Sequence, residues 1–130
     1  MSEFELSYEI HPEYLFVKGK GIRRNLEAIF QSTQEFARIV EDNKTKFILM
    51  DYSETVTHSS NIDVFNITRL YETKTPLMLE LCIAIITNPA EFAQDAFWED
   101  VCQKRGFNFK IFTDTSEAKS WLLTQVKNAE

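Results

Sequence analysis

The sequence predicts an α/β fold built on a mixed sheet, with an N-terminal β-hairpin followed by alternating helices and strands in the order ββαβαβαβα. Three observations carry that prediction. Near the start, Phe4, Leu6, Tyr8 and Ile10 alternate with polar residues, and His11-Pro12-Glu13 supplies a turn before Tyr14-Leu15-Phe16-Val17. Further on, Phe47-Ile48-Leu49-Met50 and Leu81-Cys82-Ile83-Ala84-Ile85-Ile86 are continuous apolar runs, the pattern of strands covered on both faces in a parallel sheet. Around them lie segments whose apolar residues recur at helical spacing, so each parallel strand is reached by a helical crossover.

The elements follow in order. After the hairpin, Lys18-Gly19-Lys20-Gly21 reads as a basic turn leading to Asn25, an N-cap for a helix whose face is Leu26, Ile29, Phe30, Thr33, Phe36, Ala37 and Val40 and which ends near Asn43. The run from Phe47 is a strand that ends at Asp51, and Tyr52 to His58 is read as a polar loop. Ser60, three residues before Asp63, forms a capping box that starts the next helix. Ile62, Phe65 and Arg69, with Val64, Ile67 and Tyr71 beside them, continue it until Thr75-Pro76 stops it. The strand from Leu81 closes at Asn88-Pro89. Phe92, Ala96, Trp98 and Val101 mark a third helix ended by Gly106, and Phe107, Phe109, Ile111 and Phe112 the last strand. Asp114-Thr115-Ser116-Glu117 then caps a final helix carrying Ala118, Trp121, Leu122 and Val126.

A length of 130 residues fits one domain, spanning residues 1–130. With 44% hydrophobic and 26% charged residues and only three glycines and three prolines, the composition is that of an ordered globule. A net charge of −6 argues against a nucleic-acid or anionic-membrane binder, which would lean on Lys and Arg to neutralise phosphates. Residues 1–20 carry Glu3, Glu5, Glu9 and Glu13 and no long apolar core, so neither a signal peptide nor membrane insertion is expected, and the cytoplasm is the expected location. Cys82 and Cys102 have neither disulfide nor metal spacing and read as free thiols in the core.

Function, where it is legible, lies in residues 46–70, KFILMDYSETVTHSSNIDVFNITRL. In open parallel sheets, ligands and partners meet the loops beyond the strands' carboxyl ends, where helix N-termini present free N–H groups. Asp51, His58, Ser59, Ser60 and Asn61 are therefore the candidate contact residues. The strand-to-helix segment Ile48-Leu49-Met50-Asp51-Tyr52-Ser53 with His58-Ser59-Ser60-Asn61-Ile62, and the closing Phe112-Thr113-Asp114, Glu117-Ala118 and Trp121-Leu122, resemble the STAS domain of anti-sigma-factor antagonists, especially its SpoIIAA-like members. The resemblance covers nearly the whole chain. The family's switch loop usually reads Asp-Ser-Ser/Thr-Gly-Leu, with the hydroxyl at the helix N-terminus phosphorylated by a partner kinase. Here Ser59 and Ser60 match the hydroxyls and Ile62 the apolar residue, while His58 stands at the acid, Asn61 replaces the glycine, and the loop from Asp51 is one residue short.

The resemblance implies a non-enzymatic regulatory interaction module whose partner is an anti-sigma factor or a kinase-like protein, with phosphorylation at Ser59 or Ser60 as its switch and a homodimer as one assembly. No cofactor is implied. The alternative it leaves open is a small-ligand or lipid carrier with a pocket for an apolar or phosphorylated ligand. The residues also raise other chemistries. His58 beside the two serines and Asp51 has the ingredients of a hydrolase triad, but no Gly-x-Ser-x-Gly elbow is present. His11 and Cys82 supply too few converging ligands for zinc, so no metal is expected. Asp51 at a strand end suggests a response-regulator phosphoacceptor, without the paired acids such a site needs for magnesium. Lys18, Lys20, Arg23 and Arg24 form the best candidate anion site, four cations within seven residues, against the plainer reading of a solvated basic turn.

Overall fold

The computed structural model describes residues 3–130. β1 (Phe4–Ile10) and β2 (Leu15–Arg23) pair antiparallel, with Ile10 opposite Leu15 and Phe4 opposite Gly21. The amide of His11 donates to the Tyr14 carbonyl at 3.0 Å to close the turn, and the two rings stack. β3 (Phe47–Thr57), β4 (Cys82–Thr87) and β5 (Asn108–Phe112) then add in parallel, so the spatial order of the strands is the chain order. The expected ββαβαβαβα arrangement is the one observed.

Alternation along the strands sorts side chains into two cores. Leu15, Val17, Ile48, Met50, Ile83, Ile85, Phe109 and Ile111 face α1 (Leu26–Asn43), α2 (Asn61–Lys74) and α3 (Phe92–Lys104). Leu49, Cys82, Ala84 and Ile86 face α4 (Thr115–Asn128) through Ala118 and Leu122. Three helices on one face and one on the other follow from three successive crossovers of the same hand. Each large side chain fully buried here, such as Phe36 or Leu122, contributes about 1.5–3 kcal/mol from lost apolar exposure.

The caps behave as their residue types require. The Asn25 side chain accepts from the Ala28 amide at 2.9 Å and that of Asp114 from the Ser116 amide at 2.9 Å. Gly106 follows α3 at φ +93, the left-handed region that glycine enters without penalty.

Two expectations need correction. β3 does not stop at Asp51; it runs on through residues 52–57, which are not a loop. Nor is the Lys18–Gly21 stretch a turn, because β2 continues to Arg23 alongside it. Tyr, Thr and Val are strand-forming residues even where their neighbours are polar, and each strand supplies the other's hydrogen-bond partners. Lys18 pairs with Asp51 but Lys20 with Glu54, so Gly19 faces both Tyr52 and Ser53 across a bulge that lengthens β3 by one residue. The two sets of apolar residues on α2 separate: Val64, Ile67, Thr68 and Tyr71 are buried, while Ile62 and Phe65 are 71% and 47% exposed.

Candidate functional site

The carboxyl ends of β2 and β3 and the amino ends of α2 and α3 meet over a cavity of about 80 Å³. Its inner wall is apolar, with Ile67, Ile83, Ile85, Trp98 and Phe109 among the lining residues, and its mouth is polar, with Arg23, Thr57, Ser59, Asp63, Gln94 and Asp95.

Arg23 organises the mouth. As the last residue of β2 it turns to the same sheet face as Leu15 and Val17, and its guanidinium lies 4.7 Å from the ring centre of Tyr52 and 5.5 Å from that of Phe4. Its Nε and Nη2 donate to Thr57 Oγ1 at 3.1 and 2.9 Å, and Nη1 donates to Ser32 Oγ at 3.3 Å. The backbone completes the corner: the His58 amide donates to the Arg23 carbonyl at 2.9 Å, and the Thr57 amide to Glu91 Oε1 at 2.6 Å. Glu91 belongs to a short 3₁₀ turn, Pro89–Glu91, that precedes α3.

On α3, Asp95 accepts a hydrogen bond from Thr87 Oγ1 at the end of β4. Burial pushes its carboxyl above the usual carboxylate range; the Thr87 bond opposes this, neighbouring Glu91 adds to it, and Arg23 opposes it. Next to it, the buried Nε2 of Gln94 has no hydrogen-bond partner.

The predicted residues divide among different tasks. Ser60 is the N-cap of α2: its Oγ accepts from the Asp63 amide at 3.1 Å while Asp63 Oδ2 accepts from the Ser60 amide at 3.0 Å, the expected capping box. Ser59 lines the cavity mouth, and His58 and Asn61 are exposed on either side of the pair. Asp51 is not with them. It sits in mid-strand opposite Lys18 and Ile86, where its Oδ1 accepts from the Ser53 amide at 2.9 Å and holds the bulge.

The four cations are likewise separated. Lys18 and Lys20 lie 2.6 and 4.0 Å from the carboxylate of Glu54, and Arg24 pairs with Glu3. The hydrogen bond with Lys18 holds the Glu54 carboxyl below its ordinary range and, reciprocally, raises the Lys18 pKa. Arg23 alone of the four lines the cavity. Among the described residues no group of three or more His, Cys, Asp and Glu could hold a metal ion, and no helix is long and apolar enough to cross a membrane.

Tyr52, Thr57, Gln94 and Asp95 escaped the sequence reading. The first two lie in a polar stretch whose local pattern is that of a loop, and the others sit on a helix far along the chain. One signal points to Gln94: it precedes Trp98 by four residues and so shares its helix face, an amide on a core-facing stripe.

Beside the mouth, α2 presents its exposed pair. Phe65 packs edge-on against Phe97 of α3 at 5.8 Å between ring centres, and Ile62 stands clear of the surface one turn earlier.

Neither a protein-family profile nor a curated protein sequence matches the chain. Among solved structures, it is similar to an anti-sigma factor antagonist from Mycobacterium paratuberculosis, at a TM-score of 0.61 and 10% identity, over 92% of this chain and 93% of that one. At that identity the likeness is one of fold, and the mixed α/β fold implied by the STAS resemblance is the one the chain adopts.

Proposed function

We propose that this chain is a non-enzymatic regulatory module that binds a protein partner over the rim formed by His58, Ser59, Ser60 and Asn61 and the adjoining apolar pair Ile62 and Phe65. The observation that supports this most is the exposure of Ile62 and Phe65 beside a fully capped helix start, because large apolar side chains left in water next to a polar rim are the usual anchors of an interface. The structural neighbour is named as an anti-sigma factor antagonist, which agrees with a role exercised through protein partners such as an anti-sigma factor or kinase.

In this reading phosphorylation is the switch. A phosphate on Ser60 adds about −1.5 to −2 charges at a helix N-terminus that tolerates negative charge, so the fold is kept while the rim turns anionic. A partner seated there then loses affinity by repulsion and desolvation.

The test is affinity capture from native lysate with wild type, an Ile62→Glu/Phe65→Glu double variant and Ser60→Asp, each confirmed folded by circular dichroism. One protein retained by wild type and lost by the double variant and by Ser60→Asp is the expected result. Equal retention of the same proteins by all three baits refutes the reading. Of the rival reading, a small-ligand or lipid carrier, the lipid form draws less support from the cavity: about 80 Å³ is roughly half of the ~150 Å³ that encloses a benzene ring.

A further inference from the structure

Arg23 is half-buried, and its hydrogen bonds go to neutral hydroxyls, Thr57 Oγ1 and Ser32 Oγ. Three of its five N–H groups are thereby used, and it makes no ion pair among the described residues, whereas Lys18, Arg24 and Arg105 each face a carboxylate. Gln94 brings a second donor, its buried and unpartnered Nε2, to the lining of the same cavity. An amide N–H left without an acceptor at a buried site costs free energy, and a guanidinium with free donors matches a carboxylate. Two donors in want of acceptors therefore stand over an apolar chamber walled by Ile67, Ile83, Ile85 and Trp98.

The acids nearby are engaged elsewhere. Asp63 closes the capping box, Glu91 accepts from the Thr57 amide, and Asp95 accepts from Thr87.

We propose that this cavity binds a small aliphatic monocarboxylate of about three to five carbons, with its carboxylate held by Arg23 and Gln94 and its tail against Ile67, Ile85 and Trp98. With the carboxylate in the polar mouth, the enclosed volume of about 80 Å³ takes only the tail: it is roughly half of the ~150 Å³ that holds the six carbons of benzene, which corresponds to about two to four carbons. The proposal stands apart from the partner-binding reading, since it uses the inner side of α2 and α3 and not the exposed pair.

The experiment is methyl-resolved NMR of the isoleucine-labelled full chain, titrated with sodium acetate, butyrate, pentanoate and octanoate, with 1-butanol as the uncharged control. Butyrate and pentanoate should shift the methyl signals of Ile67, Ile83 and Ile85 saturably, with octanoate and 1-butanol at least tenfold weaker. Gln94→Leu and Arg23→Gln should each weaken butyrate at least tenfold, and Ile85→Phe, which fills the chamber, should abolish its binding. Arg23 also ties β2 to β3, so if Arg23→Gln does not fold, Gln94→Leu and Ile85→Phe decide the matter. Methyl signals unmoved by any acid, shifts of equal size for acetate and octanoate, or 1-butanol binding as tightly as butyrate would each overturn the proposal.

Discussion

A Cβ on Gly19 would run into Cε1 of Tyr52 and stand 2.8 Å from Cζ of Phe4, so the tyrosine ring, backed by the phenylalanine, fills the space that any other residue at position 19 needs. The ring cannot give way freely, because Phe4 packs edge-on against it at 5.9 Å and the Arg23 guanidinium covers it. Gly19→Ala should therefore destabilise the fold by about 1–3 kcal/mol, the usual cost of overpacking a filled site. Urea unfolding measures it, and the same substitution in a Tyr52→Ala background should cost less but not nothing, since the tyrosine ring is gone while Phe4 Cζ still lies 2.8 Å from the added Cβ. Equal costs in the two backgrounds would show that the ring is not the obstacle.

Ser60 caps α2 with its side-chain oxygen, an acceptor that aspartate also supplies. Ser60→Ala should lose about 0.5–2 kcal/mol in thermal or urea unfolding, whereas Ser60→Asp should stay within about 0.5 kcal/mol of wild type. A Ser60→Asp variant as unstable as Ser60→Ala would contradict the cap and would also disqualify it as a probe of the rim.

Asp95 makes stability depend on pH in a defined direction. Its native carboxyl keeps its proton to higher pH than the unfolded one, so the folded state binds more protons and stability falls as pH rises through this range. The penalty is complete above the raised native pKa and absent below the ordinary value of 3.8. Asp95→Asn removes the charge while still offering Thr87 an acceptor. It should be at least as stable as wild type at pH 7, with an advantage that shrinks as the pH is lowered; urea midpoints across that range give the comparison. An advantage that grows on acidification would reverse the sign argued here.

The two cysteines should be inert in the native protein. Burial pushes the Cys82 thiol up to about 11 and that of Cys102 higher still, and only the thiolate is nucleophilic. Ellman's reagent at pH 8 should react with neither in the folded chain and with both in urea, the reaction following unfolding. Rapid native labelling of either would place that residue in an opening segment.

Much of this was legible from local chemistry. Ser60 with Asp63, Asn25 and Asp114 declare helix starts because a short polar side chain satisfies amide groups within three residues of itself. The apolar runs around Ile48 and Ile83 declare central strands because both faces must be covered. Gly106 likewise marks a helix end by its own backbone freedom.

The site was less legible. The sequence by itself determined the order of elements, the caps and the location of Ser59 and Ser60 at a helix start, since each depends on neighbours within a few residues. Only the tertiary structure decided that residues 52–57 form a strand, for their hydrogen-bond partners lie in β2, more than thirty residues earlier. It also decided that Arg23 leaves its basic neighbours to join Thr57, Gln94 and Asp95 around one cavity, while Asp51 stays at a bulge. Those four residues span over seventy positions of chain. Their meeting is set by the register of β2 on β3 and the seating of α3, which a reading of local propensity and spacing does not contain.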